Sequence, residues 1–207
     1  MSKQLLVDCI PFEITPQQIN ESIKENDGRL IVKGTLQRAE AKNQNGRVYP
    51  KDTLMREANK YAQVQIRERR ALGELDHPDS SVVNLQNASH NVTEMHWNGD
   101  DLNGTVEILS TPSGNILKEL FKSGIRLGIS SRGLGSVEEI SEGEDGDEPT
   151  VAVQPDFELI AFDFVSNPST QGAFLSPMTE GVDRTINKKF SKYSKVNSII
   201  NDILRGE

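Results

Sequence analysis

The chain has 207 residues, a formal net charge of -8 and a single cysteine, Cys9, and no apolar run in it reaches membrane-spanning length. That length carries one good core with tails rather than two full domains. The acidic balance disfavours nucleic-acid binding and the hydropathy disfavours a membrane, while one cysteine and a start, MSKQLLVD, without a secretory pattern point to a reducing cytoplasm.

Residues 1–27 are read as an N-terminal segment, with an apolar run from Leu5 to Ile10 and a Thr15-Pro16-Gln17-Gln18 helix start running to Lys24. Residues 28–176 are read as the main domain. Leu30 to Leu36 is fit for a strand, and Asn45-Gly46 is a turn. Pro50 at a first helical position opens a helix over 51–70, whose apolar stripe is Leu54, Ala58, Tyr61, Ala62 and Ile66. Then comes Glu74-Leu75-Asp76-His77-Pro78, in which the proline pushes His77 into an extended conformation and so fixes where the imidazole points.

His90 to Trp97 and Leu102 to Leu109 read as a hairpin turning at Asn98-Gly99, with Leu102, Gly104, Val106 and Ile108 on one face. Thr111-Pro112-Ser113-Gly114 opens a second helix that buries Ile116, Leu117, Leu120 and Phe121 and stops at Gly124. Residues 138–149, rich in Glu, Asp and Gly, are expected to form a flexible acidic loop, and Phe157 to Val165 returns to the sheet. Residues 177–207 are read as a linker and a helical tail, in which Val196, Ile199, Ile200, Ile203 and Leu204 recur at helical spacing; docking on a partner and packing on its own domain both fit that tail. Strands and helices mix without βαβ alternation, so the expected class is α+β, a mostly antiparallel β-barrel or sheet surrounded by helices.

The stretch Leu127-Gly128-Ile129-Ser130-Ser131-Arg132-Gly133-Leu134-Gly135 places two hydroxyls in an apolar strand. Alternation sets Ile129 and Ser131 on one face and Gly128, Ser130 and Arg132 on the other. Glycines there let main-chain N–H groups approach a substrate carbonyl, as an oxyanion site requires. Two serines bonded to local backbone in a kinked strand account for this stretch taken alone at least as well.

A serine hydroxyl needs a base, and His77, clamped between Asp76 and Pro78, is the best placed of the three histidines; His90 and His96 fall in the hairpin. Asp163 sits among Phe157, Leu159, Ala161 and Val165, where an ionised carboxylate needs a partner. An N–H of His77 would satisfy it and orient the base; Arg132 or Arg126 would satisfy it equally well as a structural ion pair. With no HExxH and no cysteine pair, a metal is not expected.

Gln37-Arg38-Ala39-Glu40, Asn43 to Pro50, Ala71 to Pro78 and Gly128 to Ser136 occur in an order that resembles the prohead core protein proteases of T-even-type bacteriophages, over about residues 30–175. The resemblance implies a capsid maturation serine protease with an assemblin-like fold, as in the herpesvirus proteases, working without a cofactor inside the immature head in the host bacterial cytoplasm. Its implied partners are phage scaffold or core proteins and capsid shell proteins, not nucleic acid or membrane, with a homo-oligomer left open. It puts the nucleophile on Ser130, the base on His77 and the acid on Asp163, with His90, His96, Glu74 and Asp76 as alternatives for the third member, and oxyanion or supporting roles on Ser131, Arg132 and Gly133. It also implies cleavage after Glu in Leu/Ile-x-Glu, hence self-cleavage at Glu142 and Glu180, with Glu119 protected in a helix. Arg126, Arg132, Arg67, Arg69 and Arg70 are the cations available to read that glutamate. A catalytically restrained zymogen or a structural scaffold-core docking component with the same fold is the alternative.

Overall fold

A computed structural model describes residues 2–76, 78, 80–141 and 149–166. In the segment 1–27, Gln4–Phe12 forms β1 and Pro16–Glu25 forms α1. The Thr15 hydroxyl accepts the Gln18 N–H and the Gln18 side chain accepts the Thr15 N–H, a reciprocal cap that starts α1 where the sequence places it.

β2 (Leu30–Arg38) and the short β3 (Arg47–Val48) precede α2 (Lys51–Tyr61), for which Pro50 is the cap rather than the first helical residue. The α-helix expected to reach residue 70 stops at Tyr61 and continues as a π-helical turn, Ala62–Ile66. The wider turn still lets Ile66 pack on the core while Arg67, Arg69 and Arg70 face solvent. β4 (Leu72–Glu74) then leads toward the hairpin of β5 (Ala88–Asn98) and β6 (Asp101–Ile108). Asn98 pairs with Asp101, so the turn residues are Gly99 and Asp100, one position beyond the expected pair; Gly99 takes the positive φ of 60° that the turn needs.

α3 (Pro112–Lys122) is capped by Thr111, buries Leu117 and Phe121 and ends before Gly124 at φ 72°. Ile116, expected on its buried side, is exposed. The chain passes directly into β7 (Leu127–Gly135), then β8 (Val137–Ser141), β9 (Thr150–Val153) and β10 (Glu158–Val165). The start of the expected acidic loop is therefore strand; residues 142–148 of it lie outside the described residues.

Among the described residues the strands make three sheets, ordered β1-β7-β10, β2-β6-β5-β4 and β3-β9-β8, antiparallel except for β3 with β9. This is the α+β, mostly antiparallel class expected, as sheets rather than a closed barrel. The first two sheets meet where Leu75 bridges Phe164 and the Asp76 N–H donates to the Phe164 carbonyl at 2.8 Å. Between them lies a core that includes Phe12, Val92, Val106, Ile129, Phe162 and Phe164. Phe164 stands edge-on to Phe12 and to Phe121. A second cluster around Leu6, Tyr49, Leu54 and Phe157 packs at the β3 side.

Candidate active site

β7 runs between β1 and β10, and Ser130 is the register partner of Cys9 on one side and Asp163 on the other. Residues directly opposite in a sheet share a face. One face of this sheet therefore carries Cys9, Ser130, Arg132 and Asp163, as the alternation in β7 predicts. Leu159 pairs with Gly133 and Ala161 with Arg132, so Ile160 is an extra residue, a β-bulge. The bulge reverses parity: Leu159, expected beside Asp163, lies on the opposite face.

Ser130, Arg132, Asp163 and Glu74 are all 0 % exposed. Arg132 joins the other two charges. Its Nη2 is 3.0 Å from Glu74 Oε1 and 3.2 Å from Asp163 Oδ1, and its Nε is 2.8 Å from Asp163 Oδ2. Nη1 donates to the Ser80 carbonyl at 2.7 Å, Asp163 Oδ1 accepts the Glu74 N–H at 2.9 Å, and Glu74 Oε1 accepts the Asn84 N–H at 3.0 Å. Arg132, one of the partners the sequence leaves open for Asp163, is at it. His77 lies outside the described residues. The Nε–Oδ2 contact is close but not aligned for a hydrogen bond, which leaves Asp163 Oδ2 and Glu74 Oε2 with acceptor capacity to spare. Burial raises the Asp163 carboxyl, against the pull of Arg132 and the Glu74 N–H. The Ser130 Oγ has no aligned hydrogen-bond partner. Burial pushes the Cys9 thiol opposite it up to about 12, against a smaller opposing effect of the Ser130 hydroxyl.

Ser131 faces the other way. Its Oγ accepts from Gln37 Nε2 at 2.8 Å and donates to the Asp8 carbonyl at 3.4 Å. The Asp8 carboxylate is held by Asn45 at 2.7 Å, by Arg47 at 2.9 Å and by the Tyr49 hydroxyl. This buried network fixes β1 against β7 from beneath the serine. Nothing in an apolar run such as Leu5 to Ile10 marks Asp8 as its centre, and the only advance signal is an acid where apolar residues prevail. At Gly133 a Cβ would stand 2.3 Å from the Phe157 ring and 2.6 Å from the Glu158 carbonyl, so β10 and its lead-in need a glycine there. Because β7 is hydrogen-bonded along both edges, its N–H groups from Ser131 to Gly133 point at neighbouring strands. Ser131, Arg132 and Gly133 all help to hold the strand in place through these contacts.

Among the other candidates, His90 is buried. Its Nε2 donates to the Phe162 carbonyl at 2.9 Å, its Nδ1 accepts from Ser89 Oγ at 2.8 Å, and its ring stands edge-on to Phe164. With both nitrogens committed and burial pushing it down to about 4, it is a neutral core residue. His96 is exposed. Arg126 is exposed and precedes β7, Arg69 pairs with Glu107 and Arg70 with Glu68. Arg132 is paired with Glu74 and Asp163. Glu119 lies in α3, as expected; Glu142, Glu180 and the tail lie outside the described residues. Among the described residues no group of three or more His, Cys, Asp or Glu side chains is arranged to hold a metal, and no helix is long and apolar enough to cross a membrane.

The model of one protein family, "Prohead core protein serine protease", matches residues 6–183, and so takes in β1 as well as the motifs around Ser130. The "Prohead core protein protease" of Enterobacteria phage T4 is 32 % identical over 151 residues, 72 % of this chain and 68 % of that one. The solved structure of the bacteriophage T4 capsid assembly protease superposes with a TM-score of 0.67 at 27 % identity, over 81 % of this chain and all of that chain. Fold and sequence together define the class: a viral protease of α+β architecture. More narrowly, the chain belongs to the prohead core protein serine protease family.

Proposed function

We propose that the chain is a serine endopeptidase of phage head maturation in which Ser130 attacks the scissile carbonyl, His77 takes its proton and returns it to the leaving amine, and Asp163 orients His77. The observation that carries this reading is the register of β7 and β10, which sets Asp163 directly across from a Ser130 whose Oγ has no aligned partner. Asp163 Oδ2 keeps acceptor capacity, and Asp76, next in sequence to His77, is tied to the carbonyl of Phe164, next to Asp163. The chemistry is acyl transfer with general acid–base assistance.

The substrates are the scaffold or core proteins and shell proteins of the immature head, cut after Glu in Leu/Ile-x-Glu contexts in the infected host's cytoplasm. Ile140-Ser141-Glu142 before Gly143, and Met178-Thr179-Glu180 before Gly181, are self-cleavage sites, whereas Glu119 is spared because α3 holds it helical. Incubating wild type beside Ser130→Ala with a Leu-x-Glu peptide, followed by mass spectrometry, tests both parts. Peptide cleavage and fragments ending at Glu142 and Glu180 are expected only with Ser130; equal cleavage by both proteins would end the reading.

One observation favours the restrained form as the state described. Ser130 is 0 % exposed, so no peptide carbonyl reaches it until the residues over this face move. A fluorophosphonate probe should label Ser130 slowly in the isolated protein and faster in the presence of core protein. Full labelling at once would argue against restraint.

A further inference from the structure

The buried cluster holds two carboxylates, Glu74 and Asp163, and one guanidinium, Arg132. Arg132 lies against both oxygens of Asp163 and one of Glu74, so an Asp163 standing alone with it would form a neutral pair. A neutral pair orients an imidazole by hydrogen bonding but does little to stabilise the imidazolium that forms when the base takes the serine proton. Glu74 changes that balance, because it sets a second carboxylate against the one guanidinium.

We infer that Glu74 is a positioning residue of the protease, which supplies the net charge that Arg132 would otherwise cancel at Asp163. Three features place it there. It is the last residue of β4, its own N–H donates to Asp163 Oδ1, and its Oε1 is pinned by Arg132 and the Asn84 N–H while Oε2 stays without a hydrogen bond. A carboxylate serving only to bind Arg132 would be expected to satisfy both oxygens once it had been fully withdrawn from water. In the one cluster, Glu74 Oε2 therefore has no hydrogen bond, and Asp163 Oδ2, with Arg132 Nε at 2.8 Å, has no aligned one.

Among the described residues, Asp76 stands two positions after Glu74 with its backbone N–H on the Phe164 carbonyl, and the three groups that follow carry no charge to add or cancel. Tyr61 from α2 is buried, and burial followed by the Asp163 charge raises its phenol, keeping it neutral. His90 from β5 is neutral with both nitrogens engaged. Cys9 from β1 stays a thiol. Arg132 from β7 is the only cation bonded to the cluster among the described residues.

The inference rests on the serine-protease reading, and the test separates the two. Peptide hydrolysis is followed as kcat and KM across pH 5 to 9 for wild type, Ser130→Ala, Glu74→Gln and Glu74→Asp, with thermal unfolding of each. Glu74→Gln preserves the acceptor that Arg132 and Asn84 use but removes the charge. It should lower kcat roughly 10- to 100-fold, a part of what acid–base catalysis supplies, leave KM near wild type, and move the acid limb of kcat/KM to lower pH by about one unit. Glu74→Asp keeps the charge and should keep the wild-type acid limb even if its shorter side chain costs stability. Glu74→Gln with the wild-type rate and pH profile, or both variants with one common profile, overturns the charge role while the protease reading stands. Hydrolysis that persists in Ser130→Ala overturns both.

Discussion

The neutral core imidazole of His90 makes a quantitative prediction about acid stability. In the unfolded chain this histidine takes up a proton near pH 6.5, whereas in the folded protein burial holds it back until about pH 4. Between those values the unfolded state binds the extra proton and the native state does not, so stability falls as pH falls, by ~1.4 kcal/mol per pH unit for this one group. The loss is complete near pH 4 and amounts to about 3 kcal/mol, a sizeable share of the 5–15 kcal/mol typical of a domain; above pH 6.5 His90 contributes no pH dependence. The hydrogen bond to the Phe162 carbonyl works in the opposite sense and is already part of that balance. Urea unfolding at half-unit steps from pH 7.5 to 4.5 would be compared between wild type and His90→Gln, which cannot titrate. Other groups contribute to both curves, so the difference isolates His90: it should be flat above pH 6.5 and close steadily below it, with His90→Gln losing less stability on acidification. Parallel curves would mean that the ring is protonated in the folded state or reached by water, and the core assignment would fail.

Other perturbations follow from the same contacts. Arg132→Met leaves two buried carboxylates without their cation and should cost about 3–5 kcal/mol in denaturant unfolding; a near-neutral result would show that water reaches the cluster. Gly73→Ala puts a Cβ 1.9 Å from the Phe162 carbonyl oxygen and 2.2 Å from His90 Nε2, so a loss of about 2–4 kcal/mol is expected, visible as a lowered Tm. Thr111→Ala removes the cap of α3 and the bond from its hydroxyl to the Ala88 carbonyl at 2.5 Å, and should cost about 1–2 kcal/mol without changing the far-UV spectrum of the remaining fold.

Much of this protein is local in origin and therefore readable from the chain. The caps at Thr15 and Thr111, the stop at Gly124, the hairpin near Gly99 and the two-residue alternation of β7 all follow from backbone preferences and side-chain spacing within a few residues. The ordered motifs around His77 and Ser130 carry the family, because residue types in long runs are specific in a way that no single triad pattern is.

What the chain does not announce is which distant strand lies beside which. That β1 is the neighbour of β7, with Cys9 opposite Ser130, depends on pairing across more than a hundred residues, for which an apolar run offers no address. The bulge at Ile160 is one residue long and leaves no compositional trace, yet it decides that Asp163 shares a face with Ser130 and Arg132 and not with Leu159. That Arg132 lies at Asp163 is likewise a matter of tertiary position: residues near the chain's middle and end satisfy each other's charges only after β4, β7 and β10 have met, and burial then favours that pairing.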